Sequence, residues 1–202
     1  MTIRLTPFVL AISIALACTS GGVGALNGTA TVNGLLNGHA FQAADAIAAY
    51  VVVPIGATAA GSGSVTIASN LGLCQDANAY IEPKNTQYLL LAFTEVNPTT
   101  GQFSPPTAPG VFVVSGTGTQ IAIASYTQTD ASCHEIPGAP ETAVSGTITV
   151  SSLNNGSYSG SFDLTLVGGA SAPADHVTGS FTAPNCPAGA LFFDRSRTTT
   201  CF

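Results

Sequence analysis

Through most of the chain apolar and polar residues alternate with a period of two. The segments "GTATV" (28–32), "GSVTIAS" (63–69), "QYLLLAFTEV" (87–96), "GVFVVSG" (110–116), "TQIAIASYTQ" (119–128), "SGTITVSS" (145–152), "YSGSFDLTL" (158–166) and "VTGSFTA" (177–183) are rich in Val, Ile, Thr, Phe and Tyr. Gly, Pro or Asn bounds each, so the pattern predicts strands. Ile148 and Val150 share one face of their segment and the threonines take the other. Phe162, Leu164 and Leu166 likewise oppose Ser161, Asp163 and Thr165. One dry face and one wet face per strand predict antiparallel sheets packed face to face. Asn155-Gly156 supplies a type I′ hairpin turn, whose two central residues need positive φ. Residues 143–183 therefore read as a three-stranded meander.

Two stretches break the alternation. "VNGLLNGHAFQAADAIAAYVVV" (32–53) has turn signals at Asn33-Gly34 and Asn37-Gly38, then an alanine content that suits a helix. Its neighbours favour strand, so the expectation is strand with a bulge or short helical turn near Ala43–Ala46. "NPTTGQFSPPTAPG" (97–110) reads as a Pro-rich loop. A Gly followed by Ser or Thr recurs in "LNGTATV", "VSGTITV", "YSGSFDL" and "VTGSFTA", too irregularly spaced for a repeat architecture. The fold expected is all-β: an antiparallel β-sandwich, with a jelly roll or partly closed barrel as variants, in one domain over 27–202.

Composition narrows the partners. Only 7% of the 202 residues are charged, against about 25% in ordinary soluble domains. Ten acids face four bases. Past the first 17 residues the bases are Lys84, Arg195 and Arg197 alone. Nucleic acid and anionic surfaces select clustered Lys and Arg, so neither is an expected partner.

The first 17 residues, "MTIRLTPFVLAISIALA", carry one base and then an apolar run from Leu5 to Ala17. That run suits a signal peptide and is too short to span a bilayer. Ala15-Leu16-Ala17 is an A-x-A site for ordinary signal peptidase, and before Cys18 it also approximates a lipobox, with Ala15 where Leu is usual. Cutting after Ala25 is a third option. The chain has five cysteines. Setting Cys18 aside leaves Cys74, Cys133, Cys186 and Cys201, an even set for an exported chain. The favoured reading makes Cys18 a lipidation site and residues 18–26 a flexible tether. Acyl chains would then hold the protein to a membrane. Thr19 and Ser20 lack the Asp that marks inner-membrane retention, which favours the outer membrane over a secreted or periplasmic location.

The start "LNGTATVNGLLNGHAF" and the end "SGTITVSSLNNGSYSGSFDLTL…VTGSFTAPNC", behind a lipidation cysteine and a Gly-rich stretch, resemble predicted bacterial lipoproteins of uncharacterised function. The resemblance covers both ends and not the middle. It implies an envelope-located β-sandwich and brings no activity.

Cys186 and Cys201 bracket a short loop whose closure would pin the C-terminus by roughly 3 kcal/mol. Cys74 would then pair with Cys133. No C-x-x-C spacing points to a metal. The densest polar cluster is "DASCHEIPG" (130–138), with Asp130, Cys133, His134 and Glu135. Adjacent strand residues point to opposite faces, so Cys133 beside His134 is no catalytic pair. Asp175-His176 and His39 lack zinc-site spacing, and Ile-Pro-Gly after His134-Glu135 breaks the helix a zinc-protease motif needs. No nucleophile elbow, calcium loop or phosphate-cradling loop occurs. No Trp is present to serve as a sugar platform. No catalytic, metal or cofactor residue is therefore assigned. The first reading is a non-enzymatic, lipid-anchored envelope module with a structural, adhesive or ligand-binding role, an envelope protein or glycan being its partner. The alternative is a hydrolase whose site would gather Asp130, His134, Glu135, Asp175 and His176 across strands. A small-ligand carrier, the third class, would need a large apolar cavity between the sheets.

Overall fold

A computed structural model describes residues 27–55, 58–168, 173–194 and 198–202. The alternating segments are strands, as their pattern predicts. In chain order they are β1 (Thr29–Leu36), β2 (His39–Ala40), β3 (Asp45–Ile55), β4 (Thr58–Ala68), β5 (Ile81–Glu82), β6 (Gln87–Val96), β7 (Phe103–Ser104), β8 (Gly110–Val114), β9 (Gln120–Gln128), β10 (Glu141–Asn154), β11 (Ser157–Val167), β12 (Asp175–Ala183) and β13 (Thr200–Cys201). Helix α1 (Leu73–Ala79) lies between β4 and β5, and a 3-10 helix (Pro187–Phe193) follows β12.

Ten strands run in the order β2-β1-β12-β11-β10-β8-β9-β6-β4-β3, and β7 adds to β6. The sheet curls until its halves face each other, a sandwich-like half-barrel. The meander is β10-β11-β12, with antiparallel register from Asn154↔Ser157 to Leu166↔Asp175. Asn155 (φ 49°) and Gly156 (φ 81°) make its first turn, both in the left-handed region as a type I′ hairpin requires. The sheet is mixed rather than purely antiparallel, because β8 lies parallel to β9. The loop from β7 to β8 brings the chain back in the same direction it takes again in β9.

The curl brings far corners together. Ala48 of β3 bridges Asn185, just past β12: the Ala48 N–H donates to the Pro184 carbonyl at 2.8 Å, and the Cys186 N–H donates to the Ala48 carbonyl at 2.7 Å. The seam joins the middle of β3 to the end of β12, so the strands are strongly staggered around the core. Phe93, Phe112, Tyr126, Ile148, Leu164 and Leu166 fill that core and are fully buried. Phe93 stacks edge-on against Tyr158, with ring centroids 5.0 Å apart. Side chains from both sheet halves pack against one another in the space between them.

The ambiguous stretch 32–53 is strand from Asp45 onward, and its alanines have a reason. Ala46 and Ala48 face the core while Ile47 and Ala49 face outward, and all four are buried. The outer layer over them is the 3-10 helix and α1, which bring Leu73, Cys186 and Phe192 against Ile47, Ala68 and Tyr88. A strand covered on both faces reads as a continuous apolar run, because alternation survives only where one face is wet. No helical turn forms at 43–46; the Ala44 N–H instead extends the β4 ladder by donating to the Ala68 carbonyl at 2.8 Å.

The outer layer also corrects the expected disulfide connectivity. The bridges are Cys74–Cys186 and Cys133–Cys201, not Cys186–Cys201 and Cys74–Cys133. Cys74 rides on α1 over the outer face of β3 and β4, where Cys186 begins the 3-10 helix. The C-terminus travels on to pair β13 with β5 in parallel, which sets Cys201 beside the loop after β9. Proximity in sequence misled here because Cys186 docks against α1 while Cys201 docks against the loop after β9.

Candidate functional site

A buried carboxylate organises the wall of the barrel. Asp45, fully buried at the start of β3, accepts the backbone N–H groups of Gly28 and Ala46 on Oδ1, at 2.9 and 2.8 Å. Its Oδ2 accepts those of Gly72 and Leu73, at 3.1 and 3.0 Å. One side chain thus ties the entry to β1, the start of β3 and the first turn of α1. Four charge-assisted hydrogen bonds replace the water that the carboxylate gave up.

A second acid, Glu141, opens β10 and is 3% exposed. Its Oε1 accepts the Asn37 N–H of the β1–β2 turn at 2.7 Å. Asp175 at the start of β12 faces it. Burial first, and the Asp175 carboxyl after it, push Glu141 up to about 7, while the Asn37 N–H pulls the other way. A buried carboxyl with a second carboxyl beside it holds its proton to a higher pH than one in water. Tyr126 of β9 lies against the pair, and its hydroxyl is raised by burial and by both acids, against the lowering bond from Gln87.

A surface groove of about 250 Å³ lies over the outer face of β6 and β9. Glu82, Glu135 and Asp194 line it, together with Tyr88, Phe192 and the Cys133–Cys201 bridge side. Shallower grooves lie on the hydroxyl-rich outer face of the meander, between Thr29, Thr31, Ser159, Ser180 and Thr182. There Thr31 and Ser180 join their hydroxyls at 2.9 Å across β1 and β12.

Of the residues nominated for a hydrolase site, Glu135 lines the first groove and the others are engaged elsewhere. Asp130 folds its own loop: Oδ1 accepts the N–H groups of Ser132 and His134 at 2.7 and 3.0 Å, which lowers its carboxyl below the ordinary range. Glu135 lines the groove with Glu82. Asp175 belongs with Glu141. His176 contacts Asp163 through Nε2 at 2.8 Å on the exposed face of the meander. His39 is exposed in β2. Among the described residues no group of three His, Cys, Asp or Glu side chains could hold a metal ion. Cys18 and the tether over 18–26 lie outside the described residues.

Sequence reasoning missed Asp45 and Glu141. The signal was present: each is a lone acid entering a strand whose other residues are apolar or small, in "AADAIAAY" and "APETAVSG". Comparison of the chain with protein-family models, with curated proteins and with solved structures returned no match. The two disulfides indicate an oxidising, extracytoplasmic location. No helix among the described residues is long and apolar enough to cross a membrane.

Proposed function

We propose that the protein is a cell-envelope module, held to a membrane by acylation of Cys18, with a structural, adhesive or ligand-binding role, in preference to a hydrolase. The observation that carries this reading is cysteine accounting. The two bridges consume Cys74, Cys133, Cys186 and Cys201, so Cys18 stands outside both of them. A leftover cysteine in an exported chain calls for a use outside the fold, and Cys18 directly follows a signal-like run. The engagement of Asp130 with its own loop, of Asp175 with Glu141 and of His176 with Asp163 supports a binding or structural role over hydrolysis. The packed core and disulfide clamps suit a rigid body that presents its loops. Outer-membrane placement follows from Thr19 and Ser20 as argued from the sequence.

The deciding measurement is the intact mass of the mature protein from its native host, with and without reduction. Acyl chains on an N-terminal Cys18 and two reducible bridges are the expected result. An unmodified Cys18, or a chain starting at Leu26, overturns the anchor.

A further inference from the structure

Little besides a disulfide holds the C-terminal strand to the protein. β13 pairs with β5 alone, through Thr200↔Ile81 and Cys201↔Glu82, and the two form a sheet of their own apart from the barrel. A two-stranded pairing of that length is marginal in water. Three backbone hydrogen bonds support it. The Thr200 N–H donates to the Tyr80 carbonyl at 2.8 Å, the Phe202 N–H to the Glu82 carbonyl at 3.1 Å, and the Lys84 N–H to the Phe202 carbonyl at 3.1 Å. Burial adds almost nothing, because Thr200 and Cys201 are exposed and Phe202 is 81% exposed. The remaining hold is the bridge from Cys201 to Cys133.

Two of the residues that hold β13 sit on strained backbone. Tyr80 ends α1 at φ 55°, ψ 38°, and Cys133 has φ 61°. Only Gly, and after it Asn and Asp, visit that left-handed region readily. Cys133 is kept there by Asp130. The Asp130 carbonyl accepts the Cys133 N–H at 3.1 Å, and its Oδ1 accepts the N–H groups of Ser132 and His134. The polar cluster 130–135 thus presents one sulfur of the bridge. Strained residues persist only where their surroundings hold them, and they gather at switch regions. The other bridge is placed differently. Cys186 is 1% exposed and packs in the cluster of Ile47, Leu73 and Tyr88, so a reductant reaches Cys201 far more readily.

We infer that Cys133–Cys201 is a redox latch: its reduction releases β13 from β5 and alters the groove beside it, while Cys74–Cys186 keeps the barrel and its outer layer in place. The co-reactant is a dithiol. One of its thiolates attacks Sγ of Cys201, and Cys133 leaves as a thiolate and takes up a proton. The second thiol, deprotonated, then displaces the Cys201 sulfur, which is protonated in turn. The bridge gains two electrons and two protons and becomes two thiols, and the dithiol becomes a disulfide. Glu82, Cys133 and Thr199 all line the groove of about 250 Å³, so departure of the strand opens that side of it. In an oxidising compartment the latch stays closed until such a dithiol acts.

The test treats the oxidised mature protein with graded dithiothreitol. Alkylation and mass analysis identify the concentration at which Cys133 and Cys201 are free and Cys74–Cys186 is intact, and hydrogen exchange is read there. Peptides covering 80–85 and 198–202 are expected to exchange on the order of tenfold faster than in the oxidised protein, while 158–166 keeps its protection. Reoxidation should restore both peptides. Cys133→Ser/Cys201→Ser should show the reduced pattern with no reductant present. Unchanged protection at 198–202, in the reduced protein or in that variant, means the backbone bonds alone hold the strand and overturns the latch. Loss of protection at 158–166 overturns it too, because the bridge is then a staple of the whole fold. Reduction of Cys74–Cys186 before or together with Cys133–Cys201 removes the selectivity the latch requires and overturns it as well.

Discussion

Asp45 and Glu141 are both buried acids, yet their neighbours give them opposite characters. Asp45 receives four N–H donors, so its charge is balanced by dipoles fixed in the backbone. Asp45→Ala would leave those donors buried without an acceptor, at a cost of about 3 kcal/mol. Asp45→Asn, which keeps one oxygen, should cost less. Urea denaturation of the three proteins checks the order. Glu141 has one donor and a carboxyl neighbour, and its value rises from about 4.5 to about 7. Its folded form therefore holds a proton that the unfolded form releases first. Stability is full at pH values below about 4.5, falls as the pH climbs to about 7, and stays lower above that, by on the order of 2 kcal/mol. Glu141→Gln keeps an acceptor for the Asn37 N–H and removes the charge. It should flatten the fall, so that the variant outlasts the parent at pH 8 and not at pH 4.5. Thermal melts at the two pH values decide this, and equal gaps at both would defeat the assignment.

Among the elements, what could be read in advance depended on which faces are wet. The meander was legible because Thr147, Thr149, Ser161, Asp163 and Ser180 stay at the surface opposite a buried set. β3 was blurred because the 3-10 helix covers its outer face with Ala188, Ala190 and Phe193, which erases the alternation. Helix α1 escaped notice for another reason. Its seven residues "LCQDANA" bury only Leu73 and Ala77, too short a stripe to announce a helical period. The disulfides depend on where α1 and the C-terminal strand dock, so their pairing was not written in spacing. The two bridges should differ in reactivity. Cys186 is buried inside the outer apolar cluster, whereas Cys201 is exposed in β13. Graded reduction followed by alkylation and mass analysis should label Cys133 and Cys201 first. Breaking Cys74–Cys186, which spans 112 residues, should then release the outer layer at a cost of several kcal/mol.

At the scale of the whole molecule the sheet is a barrel that closes at only one seam. β11 has hydrogen-bonded neighbours on both sides, β10 and β12. β1 has β12 on one side, and on the other only the two pairs Leu35↔Ala40 and Leu36↔His39. Just before β1, the Gly28 N–H donates to Asp45 at the start of β3. Closure is carried instead by Ala48 against residues 184–186, immediately beside the Cys186 bridge to α1. Opening should therefore begin at β1 and reach the seam last while the bridge is intact. Hydrogen exchange read by mass spectrometry should show peptides covering 29–34 exchanging well before those covering 158–166, with the amides of Ala48 and Cys186 among the slow set. In Cys74→Ser/Cys186→Ser the seam loses the bridge that holds one of its strands in place, so Ala48 should move into the fast set while 158–166 keeps its protection. If Ala48 stays slow in that variant, the backbone bonds alone close the barrel, and the disulfide serves only to hold the outer layer on β3.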